Sequence, residues 1–369
     1  MSRRGSNIFK RKDGRWEGRY KSGVKEDGHA RYSSVYARSY SDCAIKLRAA
    51  KERSVVIGNT PTVRELFNVW ICNRKNSIKQ STYSSYRSLY ENYIDKSLGG
   101  QRADRISAVG IADFTDNLIV SGGKSGNPLS TVTVQAIVVL LKSVFRFGTV
   151  EYGIHDPFKA VVMPKADFKE VQVFDESNIR KIKNSCNIYD LCSVGVLLTL
   201  YTGMRIGELC ALKWDDIDLA NGIIKVSKTL CRIKNPGGND PKTIIVITPP
   251  KSKKSIRSIP IPSYLISMLS ELNSHNSGED YFLTSCNKYT EPRAFSEKYK
   301  KYLKRIGVTY KNFHVLRHTF ATACIHQGVD VKTVSELLGH SSVKITLEKY
   351  VHPDMDMKRT QLEKLYSSL

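Results

Sequence analysis

HVLRHTFAT, residues 314–322, sets His314 and Arg317 three positions apart with apolar residues between them. On a helix that spacing brings the imidazole and the guanidinium to one face, with His318 beside them. The stretch 315–326 reads as a helix, so the pair and His318 lie on or near one of its faces. Three readings of that face are open: a His/Arg pair for phosphate, a metal site using His314, His318 and His340, or structural histidines satisfied in a core. The metal reading lacks a carboxylate or thiolate at a recognised spacing.

Upstream, TGMRIGELCALKWDDID (202–218) places Arg205 just after Thr202 and Gly203, at the start of a helix with Leu209 and Leu212 inward. An arginine beside the free N–H groups of a helix start suits an anion. An ordinary surface arginine fits the same pattern. Glu208, one turn on, is placed either to hold Arg205 in one rotamer or to sit as a solvated face charge. Downstream, His340 follows Leu338-Gly339, a glycine stop that puts the histidine in a loop. Tyr350, in LEKYVHP, has apolar neighbours and reads alone as a core residue. Lys251, Lys253 and Lys254 crowd a turn between strands expected at 244–248 and 256–261. On such a hairpin tip they can reach a bound backbone and donate a proton, or serve as a plain basic turn.

The remaining chain divides by pattern. Residues 1–57 carry three short aromatic and β-branched runs (8–12, 15–21 and 30–37) and then a helix capped by Ser41 or Asp42. Asp13-Gly14 forms the first hairpin. Arg15, Arg19, Lys21 and Arg31, interleaved with Trp16, Tyr20 and Tyr32, read as a DNA-facing sheet or as a solvated charged sheet. Residues 62–165 are helical: Val63, Leu66, Phe67, Trp70 and Ile71 keep helical spacing, as do Tyr83, Tyr86, Leu89, Tyr90, Tyr93 and Ile94. Ser107 caps a third helix, and a fourth runs from 129 to about 152. The loop SGGKSGNP lacks the spacing of a phosphate-cradling loop and follows no strand. Residues 170–369 form a mainly helical domain with short strands expected at 222–229, 243–248 and 256–261, and an amphipathic tail over 354–369 with Met357, Leu362 and Leu365 on one side.

Bulk properties point to the partner. The 369 residues carry 58 Lys+Arg against 35 Asp+Glu, a formal net charge of +23 and a pI near 9.6, so a polyanion is expected, with nucleic acid ahead of an anionic membrane. The N-terminus is charged and lacks the apolar core of a secretory signal. The longest apolar runs, such as 194–200 and 136–141, are too short to span a bilayer. Eight dispersed cysteines form no C-x-x-C pair, as expected of reduced thiols in a cytoplasmic protein.

Taken in order, TGMRIGELCALKWDDID, TPPKSKKSIRSIPIP, HVLRHTFAT and VSELLGHSSVKITLEKYVHP resemble the tyrosine recombinases, specifically the integrases of temperate phages and conjugative transposons. The resemblance is strong over the last 190 or so residues and weaker upstream. It implies a multidomain chain: a small α+β arm-type domain (1–57), an all-α core-binding domain of SAM-like type (62–165), and a mainly α catalytic domain with a small antiparallel sheet (170–369). It further implies that Arg205 and Arg317 clamp the scissile phosphate and that Tyr350 attacks it to give a 3′-phosphotyrosine. Lys251, with Lys253 as fallback, would protonate the leaving 5′-oxygen. His314 would assist the phenol's proton, His340 would bond non-bridging oxygens, and Glu208 would support the arginines from behind. Lys253 and Lys254 would otherwise face DNA. The lysine turn departs from the family pattern, with three lysines close together and one residue more than in some relatives. The partners implied are double-stranded DNA at core-type and arm-type sites, a homo-tetramer on that DNA, and an accessory directionality or host DNA-bending protein. No cofactor, metal or membrane is implied, and the place is the bacterial cytoplasm. A type IB topoisomerase-like nicking-resealing enzyme and a catalytically silent DNA-binding regulator are the alternatives. Clustered cations are expected to pull the phenol's pKa down.

Overall fold

The computed structural model describes residues 7–24, 30–57, 60–123, 126–165, 171–235, 241–249, 255–273, 277–351 and, in the tail, 355, 358–359, 362–363 and 366. At 21–24, 30–31 and 51–57 it describes the backbone alone. The chain divides into two compact units, one formed by Met1–Phe168 and one by Lys169–Asn235 with Asn239–Leu369.

In the first unit β1 (Ile8–Lys10), β2 (Trp16–Val24) and β3 (Ala30–Ala37) form an antiparallel sheet in that order. Gly14 turns the first hairpin at φ 81°, a left-handed conformation that a side chain resists. The helix α1 (Tyr40–Ile57) covers one face, burying Cys43 and Leu47 against Ile8 and Ala37. Its cap is Ser39 rather than the expected Ser41 or Asp42. The Ser39 hydroxyl accepts from the Asp42 amide at 3.1 Å, and its carbonyl accepts from Cys43.

The same unit continues with α2 (Val63–Arg74), α3 (Gln80–Leu89), α4 (Ala108–Ser121) and α5 (Thr131–Tyr152). Thr62 and Glu65 close a reciprocal capping box on α2, and the Ser107 side chain caps α4 at Gly110. Leu66, Phe67, Trp70, Ile94, Ile111, Ile137, Leu141 and Phe145 form the core. The single helix expected through Ile94 instead widens into π geometry at Tyr90–Gly99. Tyr90 stacks on Phe67 at 3.8 Å, and its hydroxyl meets Asp95, which also takes Arg64 at 2.7 Å. By length and composition α5 would suffice to cross a bilayer, contrary to the expectation drawn from shorter apolar runs. Its Val134, Ile137, Val138, Leu141, Val144 and Phe145 are spent on the core, while Lys142 and Arg146 are exposed.

The second unit contains α6 (Glu176–Asn184), α7 (Leu191–Thr202), α8 (Ile206–Cys210), β4 (Ile217–Asp218), β5 (Ile223–Val226), β6 (Thr229–Lys234), β7 (Thr243–Thr248) and β8 (Arg257–Pro260). It continues with α9 (Ser263–Asn273), α10 (Pro292–Arg305), α11 (His314–His326), α12 (Val331–Leu338) and α13 (Val343–Tyr350). The α7 helix is buried from Ser193 to Leu200 and packs against α10 and α11. Strands pair as β4-β5-β8 and, separately, as β6-β7. This corrects the expectation that β7 and β8 flank a hairpin. Residues 227–228 carry the chain from one sheet to the next, so β7 pairs with β6 (Thr229↔Thr248 to Lys234↔Thr243) and β8 with β5. The lysine turn therefore joins two sheets; Lys251, Lys253 and Lys254 themselves lie outside the described residues. In the tail, residues 355, 358–359, 362–363 and 366 are helical and Leu362 is exposed, whereas Met357 and Leu365 lie outside the described residues.

Candidate active site

One edge of the second unit gathers the polar residues that the sequence scatters from 205 to 350. The link between them begins at two glycines. Gly203 ends α7 at φ +63°, and a Cβ there would lie 2.6 Å from the Phe320 ring. Gly339 ends α12 at φ +63°, with Arg257 Cδ and Ser255 Cα 3.0 and 3.2 Å from where its Cβ would stand. Each glycine stop turns carbonyls inward, and Arg317 takes them: Nη1 donates to Gly203 O at 2.8 Å and Nη2 to Leu338 O at 2.7 Å. Arg317 is only 1% exposed. Burial, with Arg205 and Arg257 nearby, pulls its pKa down to about 9, against the opposing charge of Glu208. A guanidinium held in that way favours an incoming anion.

Arg205 occupies the cap position of α8, where Glu208 reaches back to it. Glu208 Oε2 accepts from the Arg205 amide at 2.9 Å and Oε1 from Arg205 Nη1 at 2.8 Å. Glu208 is itself buried and also takes the fork of Arg257, with Nη1 to Oε1 at 3.1 Å and Nη2 to Oε2 at 2.9 Å. Burial pushes the Glu208 carboxyl up, but the Arg257 bonds and the two arginine charges outweigh it and hold it below the usual range. Arg257 Nε donates to Leu337 O at 2.6 Å, tying β8 to the end of α12. Arg257 was missed in the sequence reading. Its signal was available: on a strand it shares a face with Ile259 and Ile261, so an arginine stood at a core-facing position and required a buried carboxylate.

Three histidines complete the arrangement. His340 Nδ1 lies 2.8 Å from Oγ1 of the buried Thr346, and its ring is nearly parallel to Tyr350 at 6.4 Å. Burial and the charges of Arg317 and Arg205 push its pKa down to about 3. His314 is exposed, and its ring meets His318 edge-on at 4.6 Å. His318, which the sequence reading placed near the polar face without a role in the phosphate chemistry, is bonded through Nδ1 to the Tyr350 hydroxyl at 2.6 Å. Tyr350 is buried in the cluster with Ala321, Ile325, Val334 and Leu338. Its phenol titrates above the ordinary value, because burial outweighs Arg317 and Arg205, which pull the other way. This corrects the expectation that clustered cations depress it: the arginines here act against a larger desolvation.

Arg205, Glu208, His314, Arg317, His340 and Tyr350 thus sit in one connected network, with Arg257 and His318 added. The network has three guanidiniums and one carboxylate, with Lys349 adjoining, and so carries excess positive charge suited to a phosphodiester. Residues 172–357 match the model of the phage integrase family, and residues 62–119 match the phage integrase N-terminal SAM-like domain. The chain belongs to the phage integrase family. It is a tyrosine recombinase, an enzyme that cleaves and rejoins DNA strands in site-specific recombination; the nicking-resealing and regulator alternatives are not favoured. It is 34% identical over 331 residues to a tyrosine recombinase XerC-like protein of Caldanaerobacter subterraneus subsp. tengcongensis, covering 82% of each chain. It is 26% identical to the ICEBs1 integrase of Bacillus subtilis, covering 86% of this chain and 84% of that one. Its fold is similar to that of the Tn1549 transposon integrase, solved in complex with a circular intermediate DNA. That likeness has a TM-score of 0.68 at 21% identity and covers 83% of this chain and 99% of the other.

In the N-terminal sheet of this recombinase the aromatic residues divide by strand parity. Trp16 and Tyr20 pack toward α1, while Tyr32 and Tyr36 stay exposed on the open face. Arg19 lies over the Tyr32 ring at 5.0 Å; Arg11 and Arg15 lie over Tyr36 at 5.5 and 5.6 Å. Arg15 also pairs with Asp13 at 2.8 Å. Lys21 and Arg31 lie on β2 and β3, where only the backbone is described.

Proposed function

We propose that this recombinase integrates and excises a mobile element through a Tyr350–3′-phosphate intermediate. In that reading Arg205 and Arg317 clamp the non-bridging oxygens of the scissile phosphate, each already fixed by its partners before DNA arrives. His340 bonds a non-bridging oxygen, His314 assists proton movement at the mouth of the site, and Lys251 protonates the leaving 5′-oxygen, with Lys253 as the substitute. Glu208 keeps Arg205 in one rotamer and neutralises Arg257, so that the remaining excess charge is aimed at the phosphate. The pentavalent transition state carries more negative charge than the ground state, so these donors bind it more tightly, and losing one costs about 2.7–4 kcal/mol in the barrier. The covalent link keeps the phosphodiester's energy for rejoining, and no ATP is needed.

The same proposal gives residues 1–57 to arm-type DNA sites and 62–165 to the core site. The exposed arginine-on-tyrosine face of the sheet supports the first assignment, since it combines charge for phosphate with flat aromatic surface. Exchange of two strands from each of two duplexes requires four tyrosines, hence a homo-tetramer on DNA. An accessory directionality or DNA-bending protein would choose between integration and excision, in the bacterial cytoplasm at the nucleoid.

The observation that carries the reading is the Tyr350 hydroxyl bonded at 2.6 Å to His318, the residue next to the doubly anchored Arg317 on α11. The test is a duplex nicked next to the crossover, which traps the covalent protein–DNA adduct. Wild-type protein forms the adduct, whereas Tyr350→Phe binds the DNA and forms none. Adduct from the phenylalanine variant would assign the attack to another residue.

A further inference from the structure

We infer that His318 is a catalytic residue, the base that takes the Tyr350 proton as the phenol attacks phosphorus. The inference rests on the proposed role of Tyr350 and deepens it. The proton assistance that the family resemblance gave to His314 belongs, by geometry, to its neighbour one turn along. His318 Nδ1 stands 2.6 Å from the phenolic oxygen. His314 stands behind it, exposed, its ring edge-on to that of His318 at 4.6 Å.

The contact has the right polarity for the task. Burial, Lys349 and Arg317 keep His318 at about 4, so at neutral pH its ring is uncharged. The phenol is protonated as well. With the ring proton on Nε2, Nδ1 is a free acceptor, and the Tyr350 O–H is its donor. The groups facing His318 are His314 and Arg317 from its own helix and Lys349 and Tyr350 from α13. A bound phosphate offsets the two cations among them and raises the imidazole's basicity when it is needed. In the step, the O–H bond of Tyr350 breaks and an N–H bond forms at Nδ1. The phenolic oxygen then bonds to phosphorus, the P–O5′ bond breaks, and its electron pair leaves on O5′, which takes a proton from the lysine of the 251–254 turn. Rejoining reverses each transfer. Two features hold the acceptor in place: Thr319, the next residue on α11, takes the Phe174 amide at 2.9 Å, and Arg317 is pinned at both ends.

The test uses the full chain and the nicked duplex, with adduct formation followed from pH 7 to pH 9. His318→Asn keeps an acceptor oxygen near the Nδ1 position but is not basic. Its cleavage rate should fall about 10²-fold or more at pH 7 with DNA affinity unchanged. The ratio of wild type to variant should then close by about tenfold per pH unit, because hydroxide replaces the missing base and every other titration cancels in the ratio. A ratio near one at pH 7 overturns the inference. So does a large ratio that stays constant with pH, which is the mark of a merely structural role. Should His318→Asn fail to melt cooperatively, His318→Ala carries the test: rescue by added imidazole supports the inference, and a loss that imidazole does not restore overturns it. Tyr350→Phe runs in parallel. Adduct from that variant brings down the proposed nucleophile, whereas its absence together with wild-type rates in the His318 variants brings down the base alone.

Discussion

Glu208→Gln isolates the charge that joins the two halves of the site. The carboxylate accepts four bonds: the Arg205 amide at 2.9 Å, Arg205 Nη1 at 2.8 Å, and Arg257 Nη1 and Nη2 at 3.1 and 2.9 Å. An amide of the same shape keeps one oxygen, so two of the four bonds survive, and its NH2 group points at donors. The Arg257 side chain is 5% exposed and would then be a buried cation with no counter-charge. Removing one partner of such a pair costs about 3–5 kcal/mol, much of it from the stranded charge. In a unit of this size that corresponds to a melting-point drop on the order of 10 °C. The measurement is thermal unfolding of the full chain at pH 7, following the transition of the second unit. Glu208→Leu with Arg257→Met removes both charges together and should lose less than the two single changes summed, because neither charge is left alone. A drop under about 2 °C in Glu208→Gln, or strict additivity in the pair, would refute the view that this ion pair holds the site together. Cleavage should fall as well, since Arg205 loses the bond that fixes its rotamer.

Gly339→Ala forces a side chain into a left-handed residue, with Arg257 Cδ 3.0 Å from the new carbon. Conformational cost alone is about 1 kcal/mol, and displacement of Arg257 adds to it, so the melting point should fall while Ala substitution at the exposed Gly100 leaves it unchanged. Acid should also weaken the second unit early. His318 and His340 titrate near 4 and 3 when folded and near 6.5 when unfolded, so between about pH 6.5 and 4 the unfolded chain binds more protons. Stability is then full above 6.5 and declines as pH falls. Urea midpoints of the full chain taken from pH 7.5 to 4.5 should show that slope, and His340→Asn should reduce it; a flat profile over that range would contradict the buried neutral state.

The parts of the fold that were legible share one property: a local signal governs them. The end of α12 could be placed because Leu338-Gly339 is a glycine stop, and Ser107 and Asp13-Gly14 act through local chemistry alone. The β6 strand was not placed, because TLCRIK buries only Leu230 and Ile233 and so matches neither strict alternation nor a helical stripe. Without β6, β7 had no visible partner except β8, and the lysine turn became a false hairpin. The π-widening at 90–99 is likewise invisible to a 3.6-residue pattern; it coincides with the stacking of Tyr90 on Phe67 and with the bond from Tyr90 to Asp95 five residues on in the same helix. At the site, residue types and order were enough to collect Arg205, His314, Arg317, His340 and Tyr350. Which imidazole meets the phenol was not legible, because His314 and His318 lie four residues apart on one helix and only the seat of α13 chooses between them.

That choice also explains why the phenol is not activated in advance. A tyrosine with a depressed pKa beside exposed arginines would be a standing nucleophile, open to any electrophile that reached it. Here desolvation keeps the proton on Tyr350, and the same desolvation, with Lys349 and Arg317, keeps His318 neutral and able to receive it. Arg317, pulled down to about 9 and bonded to two carbonyls, is a cation held where its charge is poorly compensated. One phosphate diester addresses all three conditions at once: it neutralises the arginine, lifts the cationic pressure on the imidazole and offers the phenol an electrophile. Within the proposed reading, binding energy from the DNA backbone is therefore converted into basicity at His318 and nucleophilicity at Tyr350, and the tyrosine becomes reactive only once a strand lies between Arg205 and Arg317.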